Sequence, residues 1–455
     1  MTSGIKLRLV MSAFLALACL CATVLAFWAA DGEAKPSTDK PPVPVIFVHG
    51  QFGSAQQFET NAMRFTSNGY PDDRLFAYEY DTNISTNDTA IANLDGFIAD
   101  VKAETGASQV DILAHSRGTT VMHSYLSTPA RAATVRRYVN FDGRTSATQP
   151  GGVPTLAVWG EGDQTRAIGG ATNVYFPNKS HTEVTTSREA FAKVYEFLTG
   201  DKPKAKDVRP EAPGDVTVTG RVTVFPANAG DAGALLEVFK VDPATGAREP
   251  GGPLHSVAIG PDGSFGPLAI NGEDHYEFSV SNAGEPTIHN YPEPFERDDH
   301  FYRVQTAPAL QPFIEAGPNH TDIAVIRMRE WRGDQADAAF NDRLEFNGLN
   351  VINPAIAPRA RRVLAVFNFD KNSDGVTDTS ASLSPFNAIS FLTGVDNYLP
   401  ASPDASGTIA VKETMRAIRS PADRRHTETI NVPNWPSDTD QVSVYFKDYA
   451  ARASR

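Results

Sequence analysis

Ala114-His115-Ser116-Arg117-Gly118 decides how this chain reads. The pentapeptide follows an apolar run, Val110-Asp111-Ile112-Leu113, and precedes a helix-compatible run from Thr119 to Leu126. A serine between two small residues at a strand-to-helix junction fits a nucleophile elbow, a turn so tight that the hydroxyl stands clear of the backbone. Large side chains two residues to either side would strike the neighbouring strand and helix. Ala114 in place of glycine keeps that steric requirement.

Around the elbow, residues 42–200 alternate short β-rich runs with helical ones, which predicts a mainly parallel sheet flanked by helices. The pattern predicts strands over 43–48, 75–80, 109–113, 137–141, 155–159 and 173–176, with helices over 56–66, 88–104, 119–126 and 188–198. The stretch between Phe141 and Pro154 is too short to hold a helical cap.

A serine hydroxyl is a weak nucleophile at neutral pH. It needs a histidine to take its proton, a carboxylate to orient that histidine and donors for the oxyanion. Behind such an elbow the partners follow in the order Ser, Asp, His, each on a loop after a strand. Asp163, in Trp159-Gly160-Glu161-Gly162-Asp163, is the expected acid, because two glycines let the loop aim a carboxylate back at the sheet edge. Glu161 and Asp142 are the competing carboxylates. His181, in Asn178-Lys179-Ser180-His181-Thr182, follows the last strand and is the expected base. His49, His115 and His123 fit supporting roles: the first shaping its loop, the second pointing away from the nucleophile, the third in the core. Two backbone N–H groups should receive the oxyanion. One is that of Arg117, at a helix amino terminus; the other is that of Gln51, in Val48-His49-Gly50-Gln51-Phe52.

At 455 residues the chain predicts two or three domains. A net charge of −13 argues against nucleic acid and anionic membranes as partners. Lys6 and Arg8 precede an apolar run over 9–30, so 1–34 reads as a signal peptide with small-residue cleavage points after Ala26 and Ala34, or as an uncleaved anchor. Cys19 and Cys21 both lie inside it. Secretion or an extracytoplasmic location is therefore expected, without disulfides. No phosphate-cradling glycine loop, Cys/His cluster or basic stripe appears in the sequence, so no cofactor, catalytic metal or partner protein is expected.

Residues 201–214 read as a linker, 215–305 as a β-sandwich and 306–455 as a second β domain. Strands are expected over 215–225, 235–241, 254–259 and 276–280, then over 322–328, 344–352, 362–369, 408–412 and 441–446. Tyr291, Phe295, Phe301 and Tyr302 favour interdomain packing over a lipid contact. Residues 370–378, Asp-Lys-Asn-Ser-Asp-Gly-Val-Thr-Asp, have the early spacing of an oxygen-ligand calcium loop. Ala381 stands where such a loop carries its glutamate, and an Asx-rich turn is the competing reading. Arg332-Gly333-Asp334 reads as a chance tripeptide.

With these pieces assembled, the hydrolase-like residues 35–200 resemble the small bacterial α/β-hydrolase lipases, which share the alanine-initiated elbow and the strand-His-Gly-X loop. The whole chain resembles the long-chain lipases of the Archaeoglobus type. That resemblance implies a minimal α/β hydrolase with a mainly parallel six-stranded sheet, followed by all-β domains that bind lipid and cover the active site. It implies an ester substrate and a triad of Ser116, Asp163 and His181. Arg117 stands where many of these lipases carry methionine, which argues against a purely apolar substrate. The expected function is an exported serine hydrolase cleaving acyl-glycerol or similar lipid esters. A polyester depolymerase, a short-chain carboxylesterase and a surface-binding protein with a vestigial hydrolase domain are the alternatives.

Overall fold

The central strands, apolar on both faces, demand cover on both sides, and the chain supplies it with helices. The computed structural model describes residues 41–418, 420 and 425–450. The expectations placed on residues 1–34, including the signal segment and both cysteines, lie outside them. Strands β1 (Val45–Val48), β2 (Leu75–Tyr78), β3 (Val110–His115), β4 (Val135–Phe141), β5 (Thr155–Trp159) and β6 (Thr172–Tyr175) form an all-parallel sheet in the order β2-β1-β3-β4-β5-β6. Helices α1 (Glu59–Thr66), α2 (Asp88–Thr105), α3 (Arg117–Tyr125), α4 (Pro129–Ala132), α5 (Glu183–Thr186) and α6 (Arg188–Thr199) flank it. This is the minimal α/β-hydrolase fold.

The pleat explains the two cores. Alternate residues of a strand face opposite sides, so Val45 and Phe47 of β1 join Phe58, Phe65 and Phe191 in one cluster. Ile46 and Val48 join Leu94, Ile98, Val121 and Met122 in the other. No helix among the described residues is long and apolar enough to cross a membrane.

The expected linker is irregular chain, but it is tied down. Asn68 Nδ2 donates to the Ala205 carbonyl at 2.8 Å, and the Arg209 amide donates to Ser67 Oγ at 2.9 Å. Beyond it the chain is β throughout, and the two β segments share a sheet. An eight-stranded sheet takes strands Leu235–Val241, His255–Ala258, His275–Ser281 and Thr287–Pro292 from the first segment. It takes Ile323–Arg327, Ala365–Phe369, Leu392–Asp396 and Asp440–Phe446 from the second. The junction is the parallel pairing of Thr287–Pro292 with Asp440–Phe446. Two four-stranded sheets complete the region.

Strands Ser264–Ile270, Thr287–Pro292, Asp299–Thr306, Leu392–Asp396 and Thr427–Pro433 escape the sequence pattern. In Thr287–Pro292 the cause is buried polarity: His289 and Asn290 interrupt the apolar alternation, and each is satisfied by side-chain partners inside. The aromatic stretch packs between layers. Phe301 meets Phe47 edge-on at 5.6 Å, while Tyr291, Phe295 and Tyr302 are buried in the β cores.

Helix α3 packs against the end of β1 with no room to spare. A Cβ on Gly118 would lie 2.5 Å from the His49 carbonyl oxygen and 2.6 Å from that of Val48. Gly118→Ala should therefore destabilise the protein by roughly 1–3 kcal/mol in urea unfolding. Gly96→Ala, where a Cβ meets nothing within 4 Å inside α2, should instead stabilise by up to about 1 kcal/mol.

Candidate active site

Ser116 sits between β3 and α3 with φ 52° and ψ −119°, a left-handed backbone that a non-glycine residue adopts only when its surroundings enforce it. The enforcement is visible. Its amide donates to the Phe141 carbonyl at 3.1 Å, and its carbonyl accepts from the Thr119 hydroxyl at 2.7 Å. Gly50 presses from the other side: a Cβ there would lie 3.0 Å from Ser116 Cβ and from His115 Nδ1. The small residue in the loop after β1 thus lets that loop reach the elbow.

Gln51 and Arg117 hold each other by their side chains. Arg117 Nη1 donates to Gln51 Oε1 at 2.6 Å and to the Thr82 carbonyl at 2.9 Å, and its Nε donates to Asn87 Oδ1 at 3.0 Å. The guanidinium is spent on the 82–87 loop. It does not line the cavity at Ser116, so the objection it raised to an apolar substrate falls. Neither the Gln51 nor the Arg117 amide donates to another described residue. His49 locks the loop from beneath, its Nδ1 donating to the Gly50 carbonyl and its Nε2 accepting from the Tyr80 amide. Burial pushes its pKa down to about 4, so it stays neutral.

The acid is where the structure departs from expectation. His181 Nδ1 lies 2.6 Å from Asp142 Oδ2, and both side chains are buried. Asp163 is exposed and turned away; its Oδ1 accepts from the Thr165 amide and hydroxyl at 2.8 and 2.7 Å. Gly162, at φ 103°, turns this loop outward rather than back to the sheet. Glu161 is engaged by Arg332 and Arg359. Asp142 directly follows β4, the neighbour of the nucleophile's strand, and needs no spacer to reach His181. The overlooked signal is Phe141-Asp142-Gly143: a Cβ on Gly143 would lie 2.0 Å from Thr119 Oγ1, so glycine there admits the loop to α3.

Burial by itself would raise the Asp142 pKa. The His181 hydrogen bond and charge, the Gly160 amide at 2.8 Å and Arg166 at 3.0 Å outweigh it and hold the carboxyl below its usual range. Asp142 is thus anionic at neutral pH, and its support for a His181 cation is lost only as pH falls through that depressed value. His115 does not point away. Gln57 Nε2 hydrogen-bonds its Nδ1, which leaves Nε2 to donate to the His181 carbonyl at 2.9 Å. The two rings lie 4.5 Å apart.

The β region holds the histidine loop. Glu330 accepts from the Ser180 hydroxyl and from the amides of Thr182 and Glu183. Glu183 in turn meets Arg416 at 2.6 Å and Arg329 at 3.4 Å. Phe391 stacks over the His181 ring at 6.2 Å. From Ser116 a cavity of about 120 Å³, partly open to solvent, runs into the β region. Its walls include Phe225, Leu310, Ile314, Ile326, Phe367 and Phe369.

A nucleophile elbow, an open amide pair and a buried Asp–His pair on one sheet edge define a hydrolase-type site. Family models agree: residues 42–131 match the class 2 lipases, 214–308 the lipase C-terminal domain, and 309–450 a further C-terminal domain model. Over residues 42–131 and 214–308 the chain thus carries domains of the lipase family. Similar solved structures include a Listeria innocua gene product, 16% identical, covering 36% of this chain and 97% of that one with a TM-score of 0.29. Aspergillus fumigatus lipase B is 15% identical, covering 38% and 56% with a TM-score of 0.29. Bacillus licheniformis lipase BlEst2 in its propeptide form is 12% identical, covering 88% and 95% with a TM-score of 0.28.

Asp142→Asn should lower kcat on a soluble ester by about 10⁴-fold, the scale seen when such a carboxylate is neutralised, while Asp163→Asn leaves it unchanged. Glu330 acts on the histidine through its loop. Glu330→Ala should lower kcat with KM unchanged and should shift the acid limb of the kcat–pH profile, a change that mere loss of folded protein would not produce.

Proposed function

We propose that this chain is an exported carboxylic ester hydrolase that cleaves long-chain acyl esters, acyl-glycerols or similar lipids, through an acyl-enzyme. Ser116 attacks the ester carbonyl as His181 takes its proton. Asp142 steadies the imidazolium through Nδ1, and the Gln51 and Arg117 amides receive the oxyanion. His181 then gives the proton to the departing alcohol, and water attacks the acyl-serine by the same route in reverse. Export rests on the charged-then-apolar pattern of residues 6–30.

The observation that carries the long-chain reading is the cavity itself. It begins at Ser116 and is walled by phenylalanine, leucine and isoleucine from the β region. An acyl chain buried there gains about 0.8 kcal/mol per methylene, so selectivity should climb with chain length. A short-chain esterase has no use for such a channel.

A fluorophosphonate probe should label wild type and fail on Ser116→Ala. On p-nitrophenyl esters, kcat/KM should rise from four-carbon to long acyl chains. Ile326→Trp, which fills the channel away from Ser116, should depress the long esters and spare the short ones. A profile that peaks at the shortest ester and ignores this substitution would favour the carboxylesterase reading.

A further inference from the structure

Residues 370–378 lie in the connection between strands Ala365–Phe369 and Leu392–Asp396. Asp370, Asn372 and Asp374 stand at alternate positions, and Gly375 takes the sixth place with φ 74°. Asp370 is 2% exposed. Its Oδ2 accepts from the Gly375 amide at 3.0 Å, which turns the carboxylate toward the inside of the loop. His320 Nδ1 stands 3.8 Å from the same oxygen, beyond hydrogen-bond range, and its Nε2 is directed to the Glu315 carbonyl at 2.7 Å.

The other oxygen, Oδ1, is buried and has no partner at all. A carboxylate oxygen sealed from water without a donor is costly, and His320, at 3.8 Å, faces the other oxygen. Asp374 keeps one oxygen free, since only Oδ1 accepts, from the Val376 amide at 2.9 Å. Glu315, Asp378 and Asp396 add negative charge around the loop. Each of these three takes a backbone amide: Asn372 to Glu315 at 2.6 Å, Ser380 to Asp378 at 2.9 Å and Lys371 to Asp396 at 3.2 Å.

We infer that this loop binds a calcium ion. Asp370 Oδ1, the Asn372 and Asp374 side-chain oxygens and the Val376 carbonyl would serve as ligands, with water completing the shell. An all-oxygen donor set on an open, acidic loop suits a hard cation that tolerates irregular geometry, calcium before magnesium. The missing glutamate at the twelfth position places the site among the weak ones, with a dissociation constant of about 10⁻⁴–10⁻³ M as in extracellular modules. The ion would anchor the end of the strand that carries Phe367 and Phe369 into the acyl channel.

The full-length protein, stripped with EGTA, should be titrated with calcium chloride by calorimetry and melted with and without the ion. Wild type should show one saturable site, and its Tm should rise by several degrees with calcium but not with equimolar magnesium. Asp374→Ala, at an exposed position, should fold normally, bind at least about tenfold more weakly and lose most of the calcium-dependent rise. Asp370→Asn should do the same. Absence of saturable binding up to about 10 mM, roughly ten times the weakest affinity of such sites, would overturn the assignment. So would undiminished binding in both variants, or an equal shift with magnesium. None of these outcomes depends on whether the enzyme hydrolyses lipid.

Discussion

The carboxylate of Glu330 is the constraint on which the site rests. It reaches from the β region to gather three donors of the loop that carries His181, a loop also held by His115 and Asp142 from within the hydrolase domain. A buried carboxylate is tolerable only where its oxygens are filled, and here they are filled by the very backbone that must be held still. Around it, Arg327 and Arg416 donate to the Glu330 carbonyl, while Arg416 also bridges Glu183 and Asp342. Burial would push the Glu183 pKa up, but the surrounding guanidinium groups of Arg416 and Arg329 drive it well below its usual range. The lattice is therefore charged, buried and mutually dependent. Loss of any one member strands the others.

A second tie lies at the opposite end of the interface. Arg303 forks onto Glu79 with both distances at 2.9 Å, and Arg221 joins the same carboxylate at 2.5 Å. Asn228 reaches from the β region to the Gly53 carbonyl at 2.9 Å, beside the loop that supplies Gln51. Both the loop that supplies Gln51 and the histidine loop are thus braced by the carboxyl-terminal half. The same half builds walls of the cavity at Ser116, so one body supplies both loop geometry and cavity lining. Arg117 fits this division: its guanidinium is solvated by loop carbonyls and side-chain amides and stays out of the cavity lining.

Much of the hydrolase domain was legible because parallel strands buried on both faces leave an unmistakable apolar signature. The six strands stand within a few residues of where the pattern put them, and the elbow announces itself by its small neighbours. The pairing of Asp142 with His181 was not legible. Both Asp142 and Asp163 follow a strand and lie near glycines, and the local pattern favoured the glycine-rich loop. What separates them is a turn direction at Gly162 and the adjacency of β4 to β3, neither of which is local. His115 was misread for a related reason: its partner, the His181 carbonyl, is distant in the chain.

By itself the sequence determined the fold class of the first domain, the serine-bearing turn between strand and helix, and the β character of the remainder. These follow from short-range rules, where periodicity reports burial and small residues report close approach. Only the tertiary structure decided which carboxylate meets the imidazole, that the two β segments share one sheet, and that Glu330 steadies the histidine loop. Those outcomes depend on buried polar groups finding partners across the fold, and such pairings leave no periodic trace in the chain.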